Sequence, residues 1–105
     1  MISNVLVTGG SRGIGRAVCV RLASEGRHII INYVSNEAAA REALSLVEAA
    51  GGTGELLRFD VGDIAETSAA LKSWQEAHPD EYIDVLVNNA GIRRDNLLLW
   101  MEPED

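Results

Sequence analysis

The sequence of 105 residues predicts an α/β fold: a doubly wound parallel sheet in a three-layer α/β/α arrangement. Three observations predict it. Apolar, strand-like runs alternate with segments of helical periodicity, every connection is long enough to hold a helix, and a glycine-rich turn follows the first strand. Parallel strands need such crossovers and are buried on both faces. The β-α-β-α-β-α-β order predicts strand order 3-2-1-4, with a topological switch point between the first and fourth strands.

The first three elements are separated by glycine-marked turns. A β-branched run at 5–8 predicts a strand that stops at Gly9-Gly10. Apolar residues at helical spacing then predict a helix that ends near Gly26, where glycine can serve as the C-cap. We expect its apolar face to carry Ile14, Ala17, Val18 and Leu22. Residues 28–33 (His-Ile-Ile-Ile-Asn-Tyr) predict a second buried strand.

The later elements carry similar signals. An alanine-rich helix is predicted over 38–50, ends at Gly51-Gly52, and has Leu44 and Val47 on its buried side. A third strand is predicted over 55–60. Asp63-Ile64-Ala65-Glu66 has the form of a capping box, so we expect a third helix to start there and run towards His78-Pro79. Residues 83–88 predict a fourth strand.

Composition and charge exclude several classes of function. Nine basic and sixteen acidic residues give a formal charge of −7. Contacts with nucleic acid or anionic membranes need an excess of Lys and Arg, so we expect neither partner. The chain lacks the long apolar run of a membrane span. The single cysteine, Cys19, cannot form an internal disulfide, which fits a reducing, cytoplasmic location, and we interpret it as a packing residue. One Cys and two His are too few for a structural zinc site.

The strongest functional signal is the glycine-rich turn between the first strand and the first helix. Glycines allow a sharp turn, close approach to a ligand, and packing of the helix on the sheet. Free N–H groups at a helix start, together with the helix dipole, stabilise a pyrophosphate. Because the turn lies inside a β-α-β unit, a dinucleotide site is favoured over a plain tight turn. The candidate residues are Gly9, Gly10, Ser11, Arg12, Gly13, Ile14 and Gly15.

The end of the second strand indicates which dinucleotide fits. An NAD site usually places an acid there to bind the ribose hydroxyls. In this chain Asn32 is followed by Tyr33, Val34, Ser35 and Asn36, with no carboxylate before Glu37. A missing acid, and a guanidinium at Arg12 expected to face the same region, favour a 2′-phosphate and therefore NADP(H). The alternative is that Arg12 is only a solvated charge.

Two further groups of candidates follow the third and fourth strands, where ligands of this fold bind. Asp60 can accept a hydrogen bond from an adenine amino group while Val61 packs on the ring; the alternative for Asp60 is a helix cap or turn residue. Asn88-Asn89-Ala90-Gly91 provides small residues that let the backbone lie against a ribose, and an Asn that can link strands. For the Asn pair, the alternative is a turn.

Taken in order, Thr8 to Gly15, Asp60-Val61 and Asn88 to Gly91 resemble the motifs of the classical short-chain dehydrogenase/reductase family. The resemblance covers essentially the whole chain. Within that family, Ser11 to Gly15 and Gly91 to Leu98 are similar to 3-oxoacyl-[acyl-carrier-protein] reductases.

The resemblance implies NADPH-dependent reduction of a 3-oxoacyl thioester, carried on acyl carrier protein, to the (3R)-hydroxyacyl product in fatty-acid synthesis. It implies that the glycine-rich turn holds the pyrophosphate and that Arg12 holds the 2′-phosphate. The same resemblance places Tyr33, Ser35 and Asn36 near that phosphate, Asp60 and Val61 at the adenine, Asn89, Ala90 and Gly91 at the ribose, and Asn88 as a brace within the sheet. The family's usual homotetramer is the expected assembly.

The family's catalytic Asn, Ser, Tyr and Lys have no counterparts here. The residues four positions after Tyr33 and Tyr82 are Glu37 and Leu86, and Lys72 is the only lysine. We therefore expect residues 1–105 to be the N-terminal, dinucleotide-binding part of a single Rossmann-type domain, inactive alone. Two alternatives stay open: a short-chain reductase of another ketone (sugar, steroid or quinone), and a non-catalytic NADP(H)-binding module.

Overall fold

The computed structural model describes residues 3–11 and 13–89. Strands and helices alternate along this part of the chain. In order they are β1 (Asn4–Val7), α1 (Gly13–Ala23), β2 (His28–Tyr33), α2 (Glu37–Ala49), β3 (Thr53–Arg58), α3 (Ile64–Ala77) and β4 (Val85–Val87). The predicted order of elements is confirmed.

The four strands form one parallel sheet in the order β3-β2-β1-β4, as predicted. Val5 of β1 lies opposite Ile29 of β2 on one side and opposite Val85 of β4 on the other. From β1 the chain crosses to β2 and β3 on one side, and then returns to place β4 on the other. The switch point therefore lies between β1 and β4, at the carboxyl edge of the sheet.

Helices cover both faces of the sheet because successive strand residues point to opposite faces. Under α1 and α2, the buried core contains Val5, Val7, Cys19, Ala23, Ile29, Ile31, Ala43 and Val47. Under α3, the second core contains Leu6, Ile30, Phe59, Val61 and Trp74. The prediction that Val47 is buried is confirmed, and Leu44 is half-buried against the first core.

The buried side of α1 differs from the expectation. Gly15, Cys19 and Ala23 face the sheet, while Ile14 is 75% exposed and Ala17 is exposed. The prediction that Ile14 and Ala17 lie on the apolar face is wrong. Small residues four positions apart let the helix approach the sheet closely, and this turns the larger apolar side chains at the helix start outwards.

The third and fourth strands also have different limits from those predicted. The third strand starts and ends two residues before the predicted range of 55–60, and β4 is three residues long rather than six. Phe59 still donates its N–H to the Tyr33 carbonyl (3.1 Å), but the chain then turns at Asp60. Because of this turn, the pairing of β3 with β2 ends before Asp60.

The predicted capping box at the start of α3 forms only in one half. The Asp63 carboxylate accepts the N–H of Glu66 at 3.0 Å. Glu66 does not reach back to Asp63; its carboxylate accepts the N–H of Asp60 at 2.7 Å, and the Asp63 N–H donates to the Asp60 carbonyl at 2.8 Å. The start of α3 therefore holds the turn that follows β3.

A cluster of polar and aromatic side chains lies at the amino edge of the sheet. His28 and Glu55 are joined at 2.8 Å, and the Trp74 indole N–H donates to the same carboxylate at 3.1 Å. Trp74 is stacked on His78, with ring centroids 4.2 Å apart. Across residues 3–11 and 13–89, no group of three or more His, Cys, Asp or Glu could hold a metal ion.

Within residues 3–11 and 13–89, no helix is long and apolar enough to cross a bilayer.

Candidate functional site

A cavity of about 300 Å³ opens at the carboxyl edge of the sheet, beside the switch point. It is bordered by the chain that follows β1, β2 and β4. The lining residues are Gly9, Ser11, Tyr33, Val34, Ser35, Asn36 and Asn89. All but Val34 are residues that the sequence predicts for a nucleotide site, so the fold brings together candidates that are far apart in the chain.

The glycine-rich turn is fixed to β2 by its first two amides. The Gly9 N–H donates to the side-chain oxygen of Asn32 at 2.9 Å, and the Gly10 N–H donates to the Asn32 carbonyl at 3.1 Å. Gly9 has a φ of 64°, which favours glycine. These two N–H groups face the sheet, so the donors open to an anionic ligand must come from the first turn of α1, which starts at Gly13.

Two glycines are required by close approach between the turn and α1. A Cβ at Gly15 would lie 2.2 Å from the Gly9 carbonyl oxygen and 2.3 Å from the Asn89 amide nitrogen. A Cβ at Gly10 would lie 2.9 Å from the Cys19 sulfur. The helix start thus lies directly against the turn that borders the cavity.

The end of β4 is tied to the same turn through Thr8 and Asn89. The Asn89 N–H donates to the Thr8 hydroxyl oxygen at 2.9 Å, and the Asn89 side-chain amide donates to the Gly9 carbonyl at 3.3 Å. The Thr8 hydroxyl also donates to the Val87 carbonyl at 3.3 Å. These bonds hold the two strands on either side of the switch point in one rigid edge.

Helix α2 contributes a second N-terminus to the cavity. Its N-cap is Asn36, whose side-chain oxygen accepts the Ala39 N–H at 3.0 Å. The first carboxylate after β2, Glu37, is engaged by Arg41 one turn further along the exposed face. Among the described residues that line the cavity, none carries a carboxylate, so its electrostatic character is set by amide dipoles and hydroxyl groups.

The structure places Asp60 and Val61 outside the group of residues that line this cavity. Asp60 is exposed and its carboxylate accepts the Gly62 N–H at 2.9 Å, which is an Asx-turn. Val61 is 4% exposed and packs in the core under α3. Asn88 is half-buried just after β4. Three candidates, Arg12, Ala90 and Gly91, lie outside the described residues.

Sequence reasoning missed Asn32. It is 1% exposed, and its side chain contacts the glycine-rich turn and the end of β3 together. The signal available in the sequence was a lone polar residue after Ile29-Ile30-Ile31 in a buried strand. A buried amide in such a run must find hydrogen-bond partners, which indicates a structural or positioning role.

Cys19 lies directly behind the turn, with its sulfur 3.8 Å from the Gly10 carbonyl. The residue is fully buried, and burial raises the pKa of the thiol to about 12. A thiol that stays protonated is a poor nucleophile. The sequence interpretation of Cys19 as a packing residue fits this environment.

The fold and the edge where its cavity opens define a Rossmann-type α/β chain of the doubly wound class. The family model described as short chain dehydrogenase matches residues 3–105. The chain belongs to the short-chain dehydrogenase/reductase family, an oxidoreductase family, as the sequence motifs predicted.

Relatives with known names extend this finding. The chain is 38% identical over 105 residues to a 3-oxoacyl-[acyl-carrier-protein] reductase of Staphylococcus aureus, covering all of this chain and 42% of the relative. A solved structure of the promiscuous reductase LugOII, which catalyses keto-reduction at C1 during lugdunomycin biosynthesis, is 43% identical with a TM-score of 0.73. It covers 87% of this chain and 38% of that one.

A second solved structure, an NADH-dependent reductase complexed with NAD, is 33% identical with a TM-score of 0.76, and covers 87% of this chain and 37% of that one. The chain thus spans about two-fifths of the length of the relatives that it matches. The name of the first relative states a 3-oxoacyl-[acyl-carrier-protein] substrate, that of LugOII a keto-reduction, and that of the second structure an NADH cofactor.

Proposed function

We propose that the protein is an NADPH-dependent reductase of 3-oxoacyl thioesters carried on acyl carrier protein, giving the (3R)-hydroxyacyl product. The described residues would form its cofactor-binding part. The observation that carries the proposal is the cavity at the switch point. It is lined by the glycine-rich turn that leads into α1 and by the N-cap of α2, and no described lining residue is an acid.

The geometry suits a ligand with two separated anionic groups. The start of α1 offers backbone N–H groups for a pyrophosphate beside Ser11 and Gly13. The start of α2, with Ser35 and Asn36, lies across the same cavity and would receive a second phosphate. NADPH has both groups, and when bound it supplies the hydride that reduces a keto carbon.

Preference for NADPH over NADH would follow from the end of β2. A carboxylate in this place would bind the ribose hydroxyls of NAD and repel a 2′-phosphate. The cavity offers the hydroxyls of Tyr33 and Ser35 and the amide of Asn36 instead. Arg12 would add a guanidinium to the phosphate.

The remaining candidates would complete the cofactor site. Asp60 would accept a hydrogen bond from the adenine amino group, with Val61 beside the ring. Asn89, Ala90 and Gly91 would lie along the ribose, with Asn88 as a brace in the sheet. The proposed homotetrameric assembly comes from the family resemblance. The proposed cytoplasmic location comes from the single cysteine, which cannot form an internal disulfide.

The substrate proposal is supported by the reductase of Staphylococcus aureus, whose name states a 3-oxoacyl-[acyl-carrier-protein] substrate. A second candidate is a reductase of another ketone, because the chain is also 43% identical to LugOII, a keto-reductase of a biosynthetic pathway. The described cavity would hold the cofactor in such a reaction, and its residues do not discriminate between ketones.

Fluorescence titration of the protein with NADPH and NADH tests the cofactor proposal. We expect NADPH to bind at least about tenfold more tightly, which corresponds to about 1.4 kcal/mol. Arg12→Ala is expected to weaken NADPH binding and leave NADH binding unchanged. Equal affinities for the two cofactors would contradict the proposal.

The substrate is tested by the rate of NADPH oxidation with a 3-oxoacyl thioester on acyl carrier protein, compared with sugar, steroid and quinone ketones. A higher kcat/KM for the thioester supports the first candidate. A higher value for another ketone supports the second.

A further inference from the structure

The side chain of Asn32 connects three parts of the sheet edge. Its oxygen accepts the Gly9 N–H at 2.9 Å. Its nitrogen donates to the Phe59 carbonyl at 2.8 Å and lies 3.4 Å from the Leu57 carbonyl. The backbone carbonyl of Asn32 accepts the Gly10 N–H at 3.1 Å. One residue thus holds the glycine-rich turn after β1 and the chain that leaves β3.

An amide satisfies this set of partners without any change of protonation. The Gly9 N–H requires an acceptor, and the Phe59 and Leu57 carbonyls require a donor. An Asn side chain offers one of each from a single planar group. A carboxylate would set negative oxygens against carbonyl oxygens, and an apolar side chain would leave the half-buried Gly9 N–H without this partner. The position is 1% exposed, so bulk solvent does not reach this amide in the wild type.

We propose that Asn32 is a positioning residue that sets the geometry of the pyrophosphate-binding turn relative to Asp60 at the end of β3. Gly9 immediately precedes the loop that turns into α1, and Phe59 immediately precedes Asp60. Holding both neighbours with one amide fixes the distance between the place of the pyrophosphate and the place of the adenine. This inference depends on the proposed function, because it assumes a dinucleotide at this edge.

The expected effect acts through the fraction of molecules in the binding-competent arrangement. When the Gly9 N–H loses its acceptor, the turn can rotate this peptide towards other partners. Apparent affinity falls in proportion to the competent fraction, so a turn that is competent one-tenth of the time binds about tenfold more weakly. Part of the free energy of cofactor binding is then used to reorder the turn.

The experiment compares Asn32→Ala with Asn4→Ala, a matched control. Asn4 is a buried asparagine at the other end of β1, and its side chain donates to the Glu81 carboxylate and the Tyr82 carbonyl, both at 3.1 Å. Asn4→Ala loses two side-chain hydrogen bonds. Asn32→Ala loses the bonds to Gly9 and Phe59 and two longer ones, of 3.4 Å, to the Tyr33 and Leu57 carbonyls, and only Asn32 contacts the turn. NADPH affinity is measured by fluorescence titration below the thermal unfolding midpoint of every variant.

We expect Asn32→Ala to raise the Kd for NADPH by about tenfold or more, and Asn4→Ala to change it by less than about twofold, while both lower the unfolding midpoint. Equal affinity of Asn32→Ala and the wild type would overturn the inference. If the wild type binds neither NADPH nor NADH, the proposed function fails instead, so the two failures are distinguishable.

Asn32→Asp supplies a readout that a purely structural role would not move, and it also serves if the alanine variant does not fold. The introduced carboxyl can still accept the Gly9 N–H, but it can donate to the Phe59 carbonyl only when protonated. The ratio of the variant's Kd to that of the wild type should therefore fall as pH decreases. A ratio that stays constant between about pH 5 and pH 8, a range in which a buried carboxyl with raised pKa titrates, would contradict the proposal.

Discussion

Cys19 packs its sulfur against the turn that forms the cavity, so its chemistry depends on burial. A Cβ at Gly10 would lie 2.9 Å from this sulfur, so the thiol fills the space that a glycine leaves. The residue is fully buried and its pKa is raised to about 12 by desolvation. The folded protein keeps the thiol neutral over a pH range in which the unfolded chain ionises it.

This difference predicts a loss of stability at alkaline pH. Between the ordinary thiol pKa of 9.0 and the folded pKa of about 12, the unfolded state binds fewer protons than the folded state. The free energy of unfolding therefore falls as pH rises, with a slope of up to about 1.4 kcal/mol per pH unit from this group. The stabilising contribution is complete below about pH 9.

Urea unfolding of the wild type and of Cys19→Ala at a series of pH values checks the prediction. The alanine variant is the control, because it lacks the thiol and keeps every other titratable group of the protein. The difference in free energy of unfolding between the two should change steadily above pH 9. A constant difference would show that the thiol ionises equally in the folded and unfolded states.

How much of the site the sequence predicts depends on the type of residue. Glycines after a strand, and small polar residues at strand ends, carry a local signal, and the cavity brings together Gly9, Ser35, Asn36 and Asn89. Asn32 carries no such signal, because its role comes from partners 23 and 27 residues away in the chain. These long-range hydrogen bonds depend on the register of β2 against β1 and β3, which cannot be read from a single sequence.

At the scale of secondary-structure elements, the two N-caps have similar chemistry and different surroundings. Asn36 caps α2 and lines the cavity, whereas Asp63 caps α3 and is exposed away from it. Each side chain accepts one backbone N–H at 3.0 Å. Their removal should cost similar stability but affect cofactor binding differently.

We predict that Asn36→Ala and Asp63→Ala each lower the free energy of unfolding by about 1 kcal/mol, the usual cost of a lost N-cap. Only Asn36→Ala should weaken NADPH binding, by several-fold, because it loosens the helix start that faces the cavity. Denaturant unfolding and fluorescence titration of both variants provide the measurements. Weaker NADPH binding in Asp63→Ala alone would contradict the assignment of α2 to the phosphate.

Elements were easier to predict than their buried faces and limits. The limits of β2, His28 and Tyr33, are the same in prediction and structure, because amphipathic residues at both ends of the strand flank its apolar run. The predicted apolar face of α1 is correct at Val18 and Leu22, which pack against the first core. It is wrong at Ile14, because hydrophobicity favours this residue, whereas close packing on the sheet favours the smaller residues Gly15, Cys19 and Ala23. The distance between a helix and the sheet depends on tertiary packing, so hydrophobic periodicity in the sequence does not predict it.

Over the whole described molecule, the parallel sheet separates two polar regions. The cavity by Gly9 and Asn36 lies at the carboxyl edge, while a second cavity of about 250 Å³, bordered by His28, Glu55 and Glu81, lies at the amino edge. Strand β2 has six residues, so the two edges are roughly 20 Å apart at about 3.3 Å per residue. A ligand at one edge cannot contact the other.

This polarity predicts where a cofactor changes amide hydrogen exchange. NADPH should slow exchange in peptides covering 9–15 and 33–39, because it contacts the turn and both helix starts, whereas peptides covering 78–84 at the amino edge should exchange at unchanged rates. Mass spectrometry of exchange with and without NADPH, at matched ionic strength, is the measurement. Protection confined to 78–84 would place the cofactor at the His28 and Glu55 cavity and contradict the assignment of the switch-point cavity. Protection at 9–15 without 33–39 would retain the pyrophosphate site and remove the physical basis for a 2′-phosphate at α2.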